Sequence, residues 1–437
     1  MRIRDYLRLG LANISYNRRR CVLVTVITGA MFAVIFAGFE LIQGLENITR
    51  AETTRFTDGQ VVLQLTVMDR NSDSEEKLAA LVAAHGGYTE SVERYRFDGM
   101  AGLYLFPERL KASLADKILA YDAEDGIPIL LSVSEAGKWQ KLIVGRNQTI
   151  SQKLDMIAKI RQQSLGKPIE NNSFGTRPDI EKTQFFVAGL LPSTMWNMSL
   201  SLDNVGDQGN PLNILLGAVS TGGSSTFLLE RPADVASEPE DGALWAVFPN
   251  SQIAYDFVMD RQICSNLNKT CLSKYRYEAE NAISNPLEIE VNFAGIWRIY
   301  NIVWLILAII ALIIMMSTYS RLINQEVKNI ALYRALGATR TEAYIIYAVY
   351  LAMLSLIAMV VALIVGTLMT FGVSWIYHEA LVADFIIGFG TEPASVWLVG
   401  WNNTVLAIMA LGIMAALVSV VMNIFQFSAA RTAQRLK

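Results

Sequence analysis

Four long apolar runs constrain what this chain can fold into more than any other feature. They cover residues 21–42, 299–319, 343–376 and 405–427. Each is long enough to cross a bilayer as a helix, which takes about 20 residues. The first run carries only Glu40, near its end, and the other three carry no Lys, Arg, Asp or Glu. The pattern predicts an integral membrane protein with four transmembrane α-helices.

The first run also fits a secretory signal peptide, because three arginines at 18–20 precede it. Against that reading, the apolar stretch is longer than a typical signal, and no clear small-residue cleavage site follows at 40–44. We therefore expect a retained helix. Glu40 is then expected to be a water-facing residue at the outer mouth of this first span, rather than part of an ion pathway.

Charge in the connecting segments predicts the orientation. Residues 1–20 carry six Arg and one Asp, residues 321–342 carry four basic and two acidic side chains, and residues 429–437 carry three basic ones. The segment at 377–402 has three acidic residues and no Lys or Arg. Cytoplasmic segments are the ones enriched in Lys and Arg. Both termini are therefore predicted to be cytoplasmic, and the long segment between the first two spans to lie outside.

The expected organisation follows the chain in order. It comprises an amphipathic interfacial helix (1–20), span 1 (21–43), an extracytoplasmic domain (44–297), span 2 (298–320), a cytoplasmic helix and turn (321–342), span 3 (343–376), an outer loop (377–402), span 4 (403–427) and a cytoplasmic tail (428–437). Apolar residues recur at helical spacing through 3–14 among arginines, which is typical of a helix in the headgroup layer. A disordered basic tail is the alternative for 1–20.

The large segment between spans 1 and 2 has the pattern of an α+β domain. Residues 61–67, 129–133, 185–190 and 244–248 predict strands, and residues 75–85 and 250–261 predict helices. Gly86 and Gly87 are expected to end the first of these helices. Residues 69–76 are expected to form an acidic loop, and residues 204–225 a long Gly-rich excursion. The mixture predicts an α+β fold of undetermined strand order.

Three cysteines and two histidines restrict the metal and redox chemistry. Cys264 and Cys271 both fall in the outer domain, where a disulfide is chemically permitted, and two free thiols are the alternative. Cys21 lies in span 1 and is expected to be an ordinary small apolar residue. His85 and His378 are both distant in sequence from the cysteine pair, so no metal site is expected.

The short segment between spans 2 and 3 has the signals of a helix, a glycine turn and a newly capped helix. Residues 325–336 are good helix formers, and Gly337 can end a helix in the left-handed region without a side-chain clash. Thr339 and Glu342 have the spacing of a capping box. From the residues alone, the segment is either a docking element for a partner or a plain interfacial connector.

The residues Leu332-Tyr333-Arg334-Ala335-Leu336-Gly337-Ala338-Thr339 resemble the Arg-Ala-hydrophobic-Gly-Ala signature of the FtsX-like/MacB-type permeases of ABC transporters. In that family the segment is a coupling helix that docks on the ATPase subunit. The resemblance implies coupling roles for one set of residues: Glu326, Lys328, Ile330, Leu332, Arg334, Ala335 and Gly337. The chain departs from the family at Asn329, where an acidic residue is usual, and at Ala331, where glycine is frequent. Glu326 could supply the acidic contact.

Motifs for catalysis on this chain are absent from the sequence. There is no Gly-x-x-x-x-Gly-Lys-Ser/Thr phosphate loop, no His-Glu-x-x-His, no Gly-x-Ser-x-Gly and no pair of intramembrane carboxylates. The chain is therefore expected to be a transport subunit rather than an enzyme. No cofactor is expected on it, because ATP and Mg²⁺ would be bound by a partner ATPase.

The resemblance implies a permease in the bacterial inner membrane that transmits ATP-driven motion of a separate ATPase dimer to its outer domain. Export of a peptide, lipid, lipoprotein or drug-like substrate would follow. Expected partners are the ATPase, a second permease copy or paralogue, and a periplasmic adaptor; no nucleic acid is expected. Gly29, Gly38, Gly366 and Gly372 could allow spans to approach closely. The alternatives are a non-transporting regulator of an outer partner such as a cell-wall hydrolase, and a receptor or scaffold without an ATPase.

Overall fold

The computed structural model describes most of the chain between residues 3 and 400. The described residues are 3–16, 18–67, 72–95, 103–121, 126–142, 144, 148–170, 184–192, 226–232, 240–260, 277–283, 286–325, 335, 337, 339–394, 396–400, 410, 414 and 418. The chain divides into two compact units. The first, the membrane unit, comprises 1–47, 297–377 and 397–437, and the second, the sheet unit, comprises 48–296 and 378–396.

Long apolar helices build the membrane unit. A short helix α1 (Ile3–Tyr16) precedes α2 (Arg18–Thr53), and two further helices are α8 (Pro286–Gln325) and α9 (Arg340–Ile376). Among the described residues, α2, α8 and α9 are long and apolar enough to cross a membrane. Spans 1, 2 and 3 therefore have helices at the predicted places. The predicted span 4 at 403–427 lies outside the described residues, apart from Ala410, Met414 and Val418.

Two of these helices extend well beyond the predicted spans. Residues 18–20 begin α2 instead of ending the interfacial helix, and α2 continues to Thr53, past the predicted domain boundary at residue 44. Helix α8 begins at Pro286, before the predicted boundary at residue 297. Polar side chains beyond the apolar run are accommodated within the unit, since Glu46 is buried and accepts a 2.6 Å hydrogen bond from Trp297 Nε1. The chain therefore passes between the two units inside unbroken helices.

Small residues allow α2 and α9 to pack closely. A Cβ added at Gly366 would lie 2.9 Å from both Ala33 O and Phe36 Cβ. The predicted role of Gly366 in close packing is confirmed. Gly29 faces α9 at ordinary contact distance, since its added Cβ would lie 3.5 Å from Ala358 O. Gly38 packs instead against the Tyr300 ring on α8. At Gly372, an added Cβ would have no atom of the described residues within 4 Å, so the expected close approach stays a prediction at that position.

The sheet unit is built on one nine-stranded mixed sheet with the order β5-β6-β4-β7-β3-β2-β8-β1-β9. Its strands are β1 (Val61–Val67), β2 (Tyr88–Tyr95), β3 (Leu103–Leu105), β4 (Ile127–Ser132), β5 (Pro168–Glu170), β6 (Gln184–Leu191), β7 (Thr226–Leu228), β8 (Glu240–Phe248) and β9 (Tyr277–Asn281). The β4–β6 and β3–β7 pairs are parallel and the other pairs are antiparallel. All four predicted strands are therefore present within it.

Alternating side chains give the sheet an apolar core on each face, as the two-residue period of a strand requires. Val62 and Leu130 belong to a cluster on one face that also includes Trp245. Their strand neighbours point the other way, with Leu131 in a second cluster and Leu63 in a third. Sheets buried on both faces need helices or loops over each face.

The sheet unit contains seven described helices. They are α3 (Ser72–Ala84), α4 (Glu108–Ser113), a 3₁₀ turn (Ala115–Lys117), α5 (Val133–Trp139), α6 (Ile150–Ser164), α7 (Ser251–Val258) and α10 (His378–Phe389). The expected acidic loop at 69–76 was wrong in part, because Ser72 already begins α3. Val133, predicted at the end of a strand, begins α5 because the Ser132 side chain accepts a hydrogen bond from Glu135 N and caps that helix. Residues 204–225 lie outside the described residues.

The segment between the predicted spans 3 and 4, expected to be a loop, contains the 12-residue helix α10. Helix α10 belongs to the sheet unit, where Ile387 is buried in one core cluster with Val133 and Ile160. Gly390 closes the helix at φ +71°, with its amide donating to Ile386 O. The outer loop of the sequence prediction thus contributes a helix to the core of the sheet unit.

Candidate ATPase-coupling segment

The cytoplasmic segment predicted to couple to an ATPase is described only at its C-terminal part. Helix α8 ends at Gln325. The predicted contact residues Glu326, Lys328, Ile330, Leu332 and Arg334 lie outside the described residues. Ala335 is helical and exposed, and Gly337 is exposed in a turn. Of the seven residues, the structure therefore describes two, both on the solvent-facing side of this junction.

Gly337 has the conformation that only glycine adopts readily. Its φ is +96°, and an added Cβ would meet no atom within 4 Å. The constraint at this position therefore comes from the backbone rather than from crowding. A side chain in the left-handed region costs about 1 kcal/mol or more for most residues. The expected left-handed glycine is confirmed.

A capping box then starts α9. The Thr339 hydroxyl accepts from Glu342 N at 3.2 Å, while the Glu342 carboxylate accepts from Thr339 N at 2.9 Å and from its hydroxyl at 2.9 Å. These hydrogen bonds hold the pKa of the Glu342 carboxyl below its usual value, and the bond from the Thr339 backbone N–H has the largest effect. The predicted capping box is confirmed. Because both partners satisfy otherwise unpaired groups, the first turn of α9 has a fixed direction.

Behind this turn, α9 is firmly packed within the membrane unit. Tyr347 and Tyr350 are both buried, with their rings 6.3 Å apart in an edge-to-face arrangement. The Tyr350 hydroxyl lies 3.1 Å from Cys21 Sγ on α2. Gly10 of α1 lies against the Tyr350 backbone, since an added Cβ would be 3.6 Å from its Cα. Cys21 is thus a hydrogen-bonded contact rather than only a small apolar residue.

Comparison with known families identifies the region that contains this junction. Residues 301–431 match the family described as FtsX-like permease C-terminal. This part of the chain belongs to the FtsX-like permease family. No curated protein matches the chain. Members of the FtsX-like permease family are non-catalytic membrane subunits that typically work with an ABC ATPase. The match includes the whole junction between α8 and α9, which is where the sequence signature lies.

The membrane unit contains one buried acidic residue whose environment differs from the sequence prediction. Glu40 is not a water-facing residue, because its exposed fraction is 0% and its Oε1 accepts a 2.8 Å hydrogen bond from the Thr367 hydroxyl. The expectation was wrong because burial here depends on a helix more than 300 residues further along the chain. An acidic residue inside an apolar run was the only available signal.

The predicted disulfide cannot be placed, since Cys264 and Cys271 lie outside the described residues. Among the described residues, no group of three or more His, Cys, Asp or Glu side chains could hold a metal ion. Two charged residues of the sheet unit, Lys153 on α6 and Asp384 on α10, influence each other electrostatically. Burial raises the pKa of Asp384 to about 6, and the Lys153 charge opposes that rise.

Proposed function

We propose that the chain is the permease subunit of an ABC transporter that converts ATP-driven motion of a separate ATPase dimer into movement of an extracytoplasmic sheet unit. The observation that carries this proposal is the fixed junction at Gly337 and Thr339 within the region matched to the FtsX-like permease family. A left-handed glycine followed by a capping box gives the segment before it a defined direction on α9. A flexible connector would not need either feature.

The path of motion in this proposal follows the packed helices. An ATPase that closes on ATP and Mg²⁺ would push the segment at 324–338, and α9 would move as a stiff rod. Close packing at Gly366 would pass that motion to α2. Helices α2 and α8 run without a break from the membrane unit into the sheet unit, so they offer a direct mechanical connection.

The remaining elements of the proposal come from the sequence. Cytoplasmic termini follow from the distribution of Lys and Arg. Pairing with a second permease copy or paralogue follows from the small number of spans. The proposed transport is export of a peptide, lipid, lipoprotein or drug-like substrate, with a periplasmic adaptor completing the path.

Substitution of Gly337 tests the coupling. In Gly337→Ala the added methyl meets no atom, so the change acts through backbone strain of about 1 kcal/mol at the junction. We expect the complex extracted from the membrane to contain less of the bound ATPase subunit. We also expect a several-fold loss of permease-dependent ATP hydrolysis. Gly59→Ala is a matched control, because Gly59 also has a positive φ (+85°) and open space but lies in the sheet unit.

Copurification from the native membrane decides the outcome. If no ABC ATPase copurifies with the full-length chain, or if Gly337→Ala and Arg334→Ala hydrolyse ATP as the unmodified complex does, the coupling proposal is wrong. If coupling holds but a cell-wall hydrolase binds the sheet unit and no substrate leaves the cell, the chain is a regulator rather than an exporter.

A further inference from the structure

Glu40 lies in the packed seam between α2 and α9, near the outer end of the membrane unit. It follows Arg18 by 22 residues, which places it about 33 Å along α2 from the basic cluster. Its side chain is completely buried. One carboxyl oxygen, Oε1, accepts the 2.8 Å hydrogen bond from the Thr367 hydroxyl on α9. This seam also contains the Gly366 contact, so the two helices are close at this level.

The second carboxyl oxygen of Glu40 receives no hydrogen bond. Oε2 is buried and has no partner among the described residues. The Thr370 hydroxyl lies beside the carboxyl, but it donates to backbone carbonyls, at 3.1 Å to Gly366 O and 3.4 Å to Ala37 O. The Ser374 hydroxyl likewise donates to Thr370 O at 2.9 Å. Among the described residues, an ionised carboxylate would have only the hydroxyls of Thr367 and Thr370 as side-chain donors, and the Thr370 proton is shared with the two backbone carbonyls.

No basic side chain is available to compensate a charge at this depth. The sequence has no Lys or Arg in 21–49, 299–320 or 341–430. Arg298, at the outer end of the α8 span, is exposed. The titratable side chain of α8 that contacts α2 here is Tyr300. Its hydroxyl does not bond to Glu40, because Oη donates to Ile35 O at 3.1 Å. The next acidic residue on α2, Glu46, accepts from Trp297.

An isolated carboxylate in a water-excluded site costs several kcal/mol unless it is paired. A protonated carboxyl avoids that cost and also gains a donor. A hydroxyl oxygen can accept as well as donate, so Thr370 can also accept from a Glu40 O–H. The burial of Glu40 without a positive charge beside it therefore suits the acid rather than its anion.

We propose that Glu40 is a buried proton-binding site, and that the bound proton holds α2 and α9 together at this level. Release is a simple acid–base exchange in which the O–H bond of the carboxyl breaks, the proton passes to water, and the carboxylate keeps the electron pair. The charge left behind then requires water in the seam, which loosens the α2–α9 packing. The site does not depend on the proposed ATPase coupling.

Infrared spectroscopy of the full-length chain in lipid nanodiscs tests this site directly. In the Asp384→Asn background, which removes another acid with a raised pKa, the C=O stretching band of a protonated carboxylic acid should be present near neutral pH, disappear as the pH is raised, and be missing when Glu40→Gln is added. Glu46→Gln is the matched control, because Glu46 is also a buried acid on α2 but accepts a hydrogen bond from Trp297 Nε1. An Asp384→Asn spectrum without the band near neutral pH, or a band that survives the addition of Glu40→Gln, would overturn the proposal.

A second measurement separates the proton from a metal cation and guards against a folding defect. The melting temperature of the unmodified chain should decline as the pH rises above the ordinary pKa of a glutamate, about 4.3, because only the folded state then keeps the proton. The decline should be smaller in Glu40→Gln, and the two proteins should behave alike below that pH. Exchange of sodium for potassium at constant pH should change neither the band nor the melting temperature. Loss of the band when sodium is added would assign the site to a metal ion instead. A Glu40→Gln melting curve with the unmodified pH dependence would also contradict the assignment.

Discussion

Gly366 shows how one residue sets the distance between two membrane helices. Because an added Cβ would lie 2.9 Å from a backbone oxygen of Ala33, neither helix can accept a side chain there without moving. We expect Gly366→Ala to destabilise the membrane unit by about 1–3 kcal/mol through overpacking. Thermal unfolding in detergent measures this effect. Gly372→Ala on the same helix has no atom within 4 Å and should melt like the unmodified chain; equal losses in both variants would contradict the close contact.

The elements that could be predicted from sequence are those whose determinants are local. Thr339 and Glu342 lie three residues apart, and Gly86, at φ +78° after α3, follows its helix directly. The burial of Glu40 and the docking of α10 could not be predicted, since both depend on residues far along the chain. The coupling roles of the residues from Glu326 to Gly337 stay predictions, because the resemblance implies them and the geometry describes only the last two.

The contact between α10 and α6 makes a pH-dependent prediction at the level of elements. Burial raises the pKa of Asp384 from 3.8 to about 6, despite the opposing charge of Lys153. The stability that the folded state gains from keeping Asp384 protonated is therefore fully present below about pH 4. It is lost as the pH rises through about 6. The loss should be about 1–3 kcal/mol. Unfolding followed by tryptophan fluorescence in detergent should show this decline, and Asp384→Asn should flatten it.

A matched control isolates this effect from other acids. Asp155 also lies on α6, but its side chain is exposed. Asp155→Asn should therefore keep the decline in stability between pH 4 and 6. A decline that persists unchanged in Asp384→Asn would mean that another group titrates. The test also reports on α10, because Asp384 can destabilise the unit only while this helix is packed against α6.

At the scale of the whole molecule, the sheet unit is assembled from two separate stretches of chain, 48–296 and 378–396. The second stretch brings five buried apolar residues on α10, among them Leu381, Phe385 and Ile387, and a large apolar side chain such as these is worth about 1.5–3 kcal/mol when fully buried. A fragment of 48–296 alone would expose the surface that α10 covers. The family match at 301–431 includes α10, so the matched region contributes part of the core of the sheet unit.

We therefore expect a fragment of 48–296 joined by a Gly/Ser linker to 378–396 to melt at a higher temperature than 48–296 alone, and to bind less of a hydrophobic dye. The physical reason is removal of apolar surface from water at the α10 contact. The same fusion with Ile387→Asp serves as the control, because Ile387 is packed with Val133 and Ile160 and a charge there cannot be buried without a partner. If the fusion, its Ile387→Asp form and 48–296 alone all melt together, α10 contributes nothing to the unit. If only the unsubstituted fusion is stabilised, the core of the sheet unit is completed by the chain between the last two predicted spans.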